Sequence, residues 1–188
     1  MTSLAEYLNE SEKAASNLSA MEPFIRELSE CIFQRIEKGG TVYWAGNGGS
    51  AGDSQHLACE LVSKFAITRN PIRSVALTTN TSLLTAISND YGYEHVFTRQ
   101  VEAFITANDV FIGISTSGES VSVVNAAILS KKKGALVVAL TNEMKNSLGN
   151  VADFTYNAPS VVTGVVQQCH ITVGQAICLE LERLIIGN

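Results

Sequence analysis

Thr41-Val-Tyr-Trp-Ala-Gly-Asn-Gly-Gly-Ser50 is the stretch on which the reading of this chain turns. Val42, Tyr43 and Trp44 form an apolar β-type segment that ends in Gly46-Asn47-Gly48-Gly49. Ser50 then opens a helical run to Lys64 that carries His56 and Glu60. A strand, a glycine loop and a helix N-terminus together make an anion site. Glycine lets the backbone approach a ligand, and the first-turn N–H groups have no partners of their own.

Outward from this stretch, short apolar strands alternate with longer helical runs. Strands are expected over 41–46, 73–78, 109–114, 135–140 and 153–156. Helices are expected near 50–64, 81–90, 94–105, 120–133 and 143–149, with a final one over 163–186. In the last of these Val166, Cys169, Val173, Ile177, Leu181 and Leu184 recur at three- and four-residue steps, which marks a core or interface face. Such alternation implies an α/β fold: a doubly wound five-stranded parallel sheet joined by right-handed crossovers. Residues 2–38 read as two further helices with a break near Ser19 to Pro23. They are expected to join a helical bundle with another subunit, or else to cap their own domain. The 188 residues read as one domain, with no repeat or linker.

Hydrophobic residues make up 46% of the chain and charged ones 16%, an ordinary balance for a globular protein and against disorder. A net charge of -5, with no basic cluster beyond Lys131 to Lys133, argues against nucleic acid or an anionic membrane as partner. No apolar run reaches membrane-spanning length, and the first residues lack a charged and apolar leader pattern. The expected location is cytoplasmic. Cys31, Cys59, Cys169 and Cys178 form no CxxC pair and read as buried small hydrophobes in a reducing compartment.

Ligands of such sheets lie beyond the carboxyl ends of the strands, where the polar clusters of this chain fall. Gly46, Gly48 and Gly52 imitate a dinucleotide fingerprint. The acid expected about 20 residues on is missing from 66–72, however, and there is no P-loop, so no nucleotide cofactor is expected. Gly113-Ile-Ser-Thr-Ser-Gly-Glu-Ser120 is better equipped for phosphate. Ser115, Thr116, Ser117 and Ser120 offer hydroxyls beside the free N–H groups of a helix start, though a plain capping turn would also use serine. The glycine loop then closes over the rest of the ligand. His56 and Glu60, spaced i, i+4, share a helix face and can converge on a ligand or metal, or simply bond to each other. Gln167, His170 and Gln175 on the final helix are candidates for the same pocket. Alone, His170 reads as a satisfied structural histidine and His95 as a solvated polar residue.

At these residues the chain resembles the sugar isomerase (SIS) domain family, and within it the phosphoheptose isomerases. The carriers are Gly46 to Ser50, Gln55-His-Leu-Ala-Cys-Glu60, Ala76-Leu-Thr-Thr79, Ala86-Ile-Ser-Asn-Asp-Tyr-Gly92 and Gly113 to Gly118, and the similarity extends over nearly the whole chain. The resemblance implies isomerisation of sedoheptulose 7-phosphate to D-glycero-D-manno-heptose 7-phosphate, a step towards bacterial surface heptose and lipopolysaccharide. It implies a homotetramer with sites between subunits, and often a bound zinc. On matching positions Ser115, Thr116, Ser117 and Ser120 hold the phosphate, while Asn47, Gly48, Gly49, Asn89 and Asp90 hold the sugar, with Ser50 and Gln167 beside them. Glu60 is the acid/base, and His56, Glu60 and Gln167 are zinc ligands.

The chain also departs from the family pattern. Gln175 stands where the family has a histidine that is its second acid/base and fourth zinc ligand; glutamine does not titrate, but it offers an amide oxygen. Val165-Val-Gln-Gln168 replaces Arg-Ile-Gln-Glu, and Lys64 stands where arginine is common. Two readings follow from this: a sugar-phosphate isomerase using Glu60, or a non-catalytic SIS protein that binds a sugar phosphate or a protein partner.

Overall fold

The computed structural model describes residues 3–187; Thr2, where the first helix was expected to begin, lies outside them. Ser3 caps α1 (Leu4–Ser16) reciprocally: its hydroxyl accepts from the Glu6 N–H at 3.2 Å, and its own N–H donates to the Glu6 carboxylate at 2.6 Å. A 3-10 turn over Leu18–Met21 makes the expected break, and Pro23 falls in the first turn of α2 (Glu22–Glu37), where no N–H is needed. Then follow β1 (Val42–Gly46), α3 (Gly49–Val62), β2 (Ser74–Ala76), α4 (Thr81–Tyr91), α5 (Thr98–Phe104), β3 (Val110–Ile114), α6 (Val121–Lys132), β4 (Leu136–Asn142), α7 (Ser147–Val151), β5 (Phe154–Ala158) and α8 (Thr163–Gly187).

The five strands are parallel, in the order β2-β1-β3-β4-β5. Successive side chains of a strand point to opposite faces, so each strand feeds two cores. Val42 and Trp44 of β1 face Leu28, Ile32, Leu57, Val173 and Ile177 from α2, α3 and α8. Tyr43 and Ala45 face Ile87, Val101, Val123 and Leu148 from α4 to α7. The loops after β1 and β3, neighbouring strands whose following helices lie on opposite faces, flank the point where strand order reverses. An open parallel sheet leaves its ligand crevice there.

Several expectations shift. The strand expected over 73–78 is three residues long, because the chain turns at Leu77. The helix expected over 94–105 divides into a 3-10 turn at Tyr93–His95 and the seven-residue α5. The helix placed at 143–149 forms at Ser147–Val151, where Asn146 caps it by accepting from Gly149 N–H. The two leading helices pack on α8 of their own chain, burying Ala14, Leu28 and Ile32, while Leu4 and Leu8 remain exposed. Cys59 is exposed and Cys31 half-buried, so the buried-hydrophobe reading holds for Cys169 and Cys178. His95 is half-buried rather than solvated.

Candidate active site

The loops after β1 and β3 meet at one side chain. Asn47 Nδ2 donates to Ser120 Oγ at 2.7 Å and to Ser122 Oγ at 3.0 Å, and Asn47 Oδ1 accepts from the Tyr93 hydroxyl at 2.8 Å. Asn47, Tyr93, Glu94, Ser120, Val121 and Ser122 line a cleft of 440 Å³ at this junction. Ser120 is the N-cap of α6 yet accepts from no N–H of that helix; its oxygen accepts from Asn47 instead, so its hydroxyl proton is not spent there and can serve a ligand. Ser115 and Ser117 accept from the N–H groups of Gly118 and Glu119, which folds the loop into a turn, and Thr116 is half-buried on it. Gly118 has φ +68°, and a Cβ there would meet the Asn146 side chain at 2.1 Å. Glu119 accepts from both the N–H and the hydroxyl of Ser147, tying this loop to α7.

The second group of side chains lies on a helix pair. α3 and the segment after it run parallel to α8 and meet it at three levels through polar side chains of α8. A Cβ on Gly49 would stand 2.4 Å from Gln167 Nε2, so Gln167 rests directly against the first turn of α3. Two turns on, His56 Nε2 lies 3.0 Å from Glu60 Oε1 and 3.2 Å from the Gln175 amide nitrogen. Beyond α3, Glu182 accepts from the N–H groups of Phe65, Ala66 and Ile67 and pairs with Arg69, the two charged side chains being out of solvent. Arg69 in turn donates to the carbonyls of Glu60 and Leu61, closing the last turn of α3.

His56, Glu60 and Gln175 are thus brought together, as are Asn47 and Ser120. Gln167 sits at Gly49, seven residues and about 10 Å of helix axis from His56. Gly48 and Gly49 are exposed at the loop, and Ser50 is buried beneath it. Asn89 and Asp90 bond to each other on the exposed end of α4 and do not line the cleft. His170 is only half satisfied: Nε2 meets the Thr141 carbonyl at 2.9 Å, Nδ1 has no partner, and burial lowers its pKa to about 4.

Tyr93, Glu94 and Ser122 were not foreseen as site residues. Nor was Asp53, a buried carboxylate oxygen without a partner, one turn before His56. Burial raises the Asp53 carboxyl above its ordinary range despite the pull of His56. The only available signal for Tyr93 was its place after Gly92, and for Asp53 its helical spacing from His56.

A zinc ion suits part of this set. One imidazole nitrogen and one carboxylate oxygen 3.0 Å apart can chelate a cation. The third donor is an amide oxygen, presented by turning the Gln175 side chain about its last bond. As the amide stands, His56 Nε2 cannot both donate to Glu60 and accept from Gln175; the turned amide, with its oxygen on the ring N–H or on an ion, removes that conflict. Among the described residues no three His, Cys, Asp or Glu side chains gather at one point.

Residues 6–142 match the SIS domain family over the strand, glycine loop and hydroxyl loop described above. The chain belongs to that family. Within it the similarity is to phosphoheptose isomerases. That of Sulfurimonas denitrificans is 50% identical over 144 residues, covering 77% of this chain and 74% of the relative. That of Aneurinibacillus thermoaerophilus is 40% identical over 188 residues, covering 98% and 95%. The solved phosphoheptose isomerase of Neisseria gonorrhoeae superposes with a TM-score of 0.88 at 35% identity, covering 96% of this chain and 97% of that one. The SIS fold is therefore shared over nearly the whole length of both chains.

Proposed function

We propose that this chain is an aldose–ketose isomerase that converts sedoheptulose 7-phosphate to D-glycero-D-manno-heptose 7-phosphate, supplying surface heptose. The observation that carries the reading is the Glu60 carboxylate, 3.0 Å from His56 and held beside α8, in a chain whose hydroxyl loop and Asn47 meet at the sheet's switch point. Phosphoheptose isomerases matched over nearly the full chain support it.

The reaction moves one proton between carbons and one between oxygens. Glu60 takes the proton from C1 of the ketose, the C1–H electrons form the C1=C2 bond, and the C2 oxygen gains a proton, giving an enediol. Return of the proton to C2 with loss of the O1 proton gives the aldose. His56 donates to Glu60 and so orients it, and Gln175, which does not titrate, holds His56 once its amide is turned to present the oxygen to the ring N–H. Ser115, Thr116, Ser117 and Ser120 would hold the phosphate, and Asn47, Asn89 and Asp90 the sugar. In this reading His56 and Glu60 would hold a zinc ion with the turned Gln175 amide, rather than with Gln167 of the same copy, which rests at Gly49; the ion would supply Lewis-acid polarisation of the substrate oxygens.

Glu60 lies eleven residues from Gly49, about 16 Å of helix axis, whereas a seven-carbon sugar phosphate spans about 10 Å from C1 to phosphorus. We therefore favour sites shared between copies, one copy's glycine loop and another's Glu60 meeting the same substrate, within the homotetramer that the family resemblance implies and acting in the cytoplasm. Incubation with sedoheptulose 7-phosphate tests the reading. Wild type should form the aldose, Glu60→Gln should lose about a hundredfold or more of kcat, and absence of turnover with and without added zinc refutes it. Gln175 favours one other reading, a non-catalytic sugar-phosphate binder. Ligand binding without turnover would establish it.

A further inference from the structure

The Asn47 amide has two ends, and which end faces the serines decides what they can offer a ligand. As it stands, both Nδ2 hydrogens go to Ser120 and Ser122, so both serine oxygens act as acceptors. Their own hydroxyl hydrogens then remain available, that of Ser120 towards the cleft. A rotated amide would present Oδ1 instead, and the serines would spend their hydrogens on it. A phosphate dianion accepts hydrogen bonds and donates none, so only the first arrangement suits it.

Tyr93 sits at the other end of this amide. Its hydroxyl donates to Asn47 Oδ1 at 2.8 Å from the 3-10 turn that follows Gly92. A phenol is a better donor and a poorer acceptor than an aliphatic hydroxyl, because its oxygen lone pair is delocalised into the ring. The contact therefore favours Oδ1 towards Tyr93 and Nδ2 towards the serines. We propose that Tyr93 is a positioning residue that sets the polarity of the Asn47 amide and so makes Ser120 a hydrogen-bond donor to a bound phosphate. This rests on the reading of Ser115 to Ser120 as the phosphate loop.

The test is titration of wild type, Tyr93→Phe, Asn47→Ala, the double variant and Ser120→Ala with inorganic phosphate, followed by calorimetry. Tyr93→Phe should weaken binding about threefold to tenfold, the range of one net hydrogen bond. In the Asn47→Ala background the same change should have no effect, since the amide it acts on is gone. Equal weakening in both backgrounds, or none in wild type, overturns the inference alone. A wild type that binds no phosphate overturns the loop reading and this inference with it, whereas a Ser120→Ala variant that binds phosphate as tightly as wild type overturns the inference alone. Should Asn47→Ala bind too weakly to titrate, the Asn47 side-chain amide resonances decide. Slow hydrogen exchange in wild type that speeds up in Tyr93→Phe is expected; identical spectra overturn the role of Tyr93.

Discussion

Glu182→Gln removes one oxygen from a carboxylate that lies wholly out of solvent. The wild-type group accepts from three backbone N–H groups, at 2.7, 2.8 and 2.9 Å, and stands 3.2 Å from Arg69. Glutamine has the same shape but a single acceptor oxygen, so its NH2 would face at least one of those donors. Arg69, with a side chain 1% exposed, would be left charged and unpaired. Breaking a buried pair from one side costs about 3–5 kcal/mol, a large share of the roughly 5–15 kcal/mol that holds a domain together. For a chain of this size Tm should fall by about 10 °C.

The pH profile adds a second mark. Burial alone would raise the Glu182 carboxyl, but the N–H groups of Phe65, Ala66 and Ile67 together with Arg69 outweigh it and hold it below its ordinary value. A depressed folded-state pKa contributes stability above the unfolded value of about 4.3, lost as pH falls through the folded value. The gap between wild type and variant should therefore be full at pH 7 and shrink in the acid range. Urea denaturation at several pH values measures both. Pairing Glu182→Leu with Arg69→Met should cost less than Glu182→Leu alone, because no buried charge is stranded. A Tm for Glu182→Gln within about 2 °C of wild type at pH 7 would refute the reasoning.

Gly174→Ala would place a Cβ 2.4 Å from Leu57 Cδ1, and buried Leu57 has no room to retreat. A loss of about 1–3 kcal/mol is expected in denaturation, with α3 pushed off α8 and isomerase activity reduced. Asp53→Asn should stabilise the protein at neutral pH. The raised Asp53 carboxyl favours folding below its unfolded pKa, and that contribution is lost as pH rises through the folded value; melting curves from pH 4 to 8 would show the variant gaining over that window. Ser120→Ala should raise KM for the sugar phosphate more than it lowers kcat, since it removes one ligand hydroxyl and no proton carrier; steady-state kinetics checks this.

Much of the fold was legible because β1, β3 and β4 carry continuous apolar runs bounded by glycine and polar turns. β2 was overextended because Leu77 and Thr78 look like strand residues, yet Leu77 donates to Trp44 O from a turn. The helix expected over 94–105 breaks because Gly92, at φ +95°, starts a separate 3-10 turn, which no apolar period reveals. In the site, the i, i+4 pair of His56 and Glu60 was readable because the helix itself fixes it. Tyr93 reaches Asn47 across 46 positions, and Glu182 reaches Ala66 across 116. Contacts of that range belong to packing and leave no local pattern. The same holds for Gln167, which shares a helix with Gln175 but meets a different level of α3.

The three levels at which Gln167, Gln175 and Glu182 of α8 meet α3 and the segment after it also bear on how the chain closes. α8 is the last element described, and besides the tight seat of Gly174 on Leu57 it offers α3 aliphatic surface at Val173 and Ile177, which alone carries no directional bond. A shift of one residue moves every side chain by 1.5 Å and rotates it by 100°. Gln167 would then leave Gly49, Gln175 would leave His56, and Glu182 would leave three N–H groups and a guanidinium at the same moment. Fit at any one of the three fixes the others. They act as registration marks, so a C-terminal helix that docks at all docks with Gln175 facing His56.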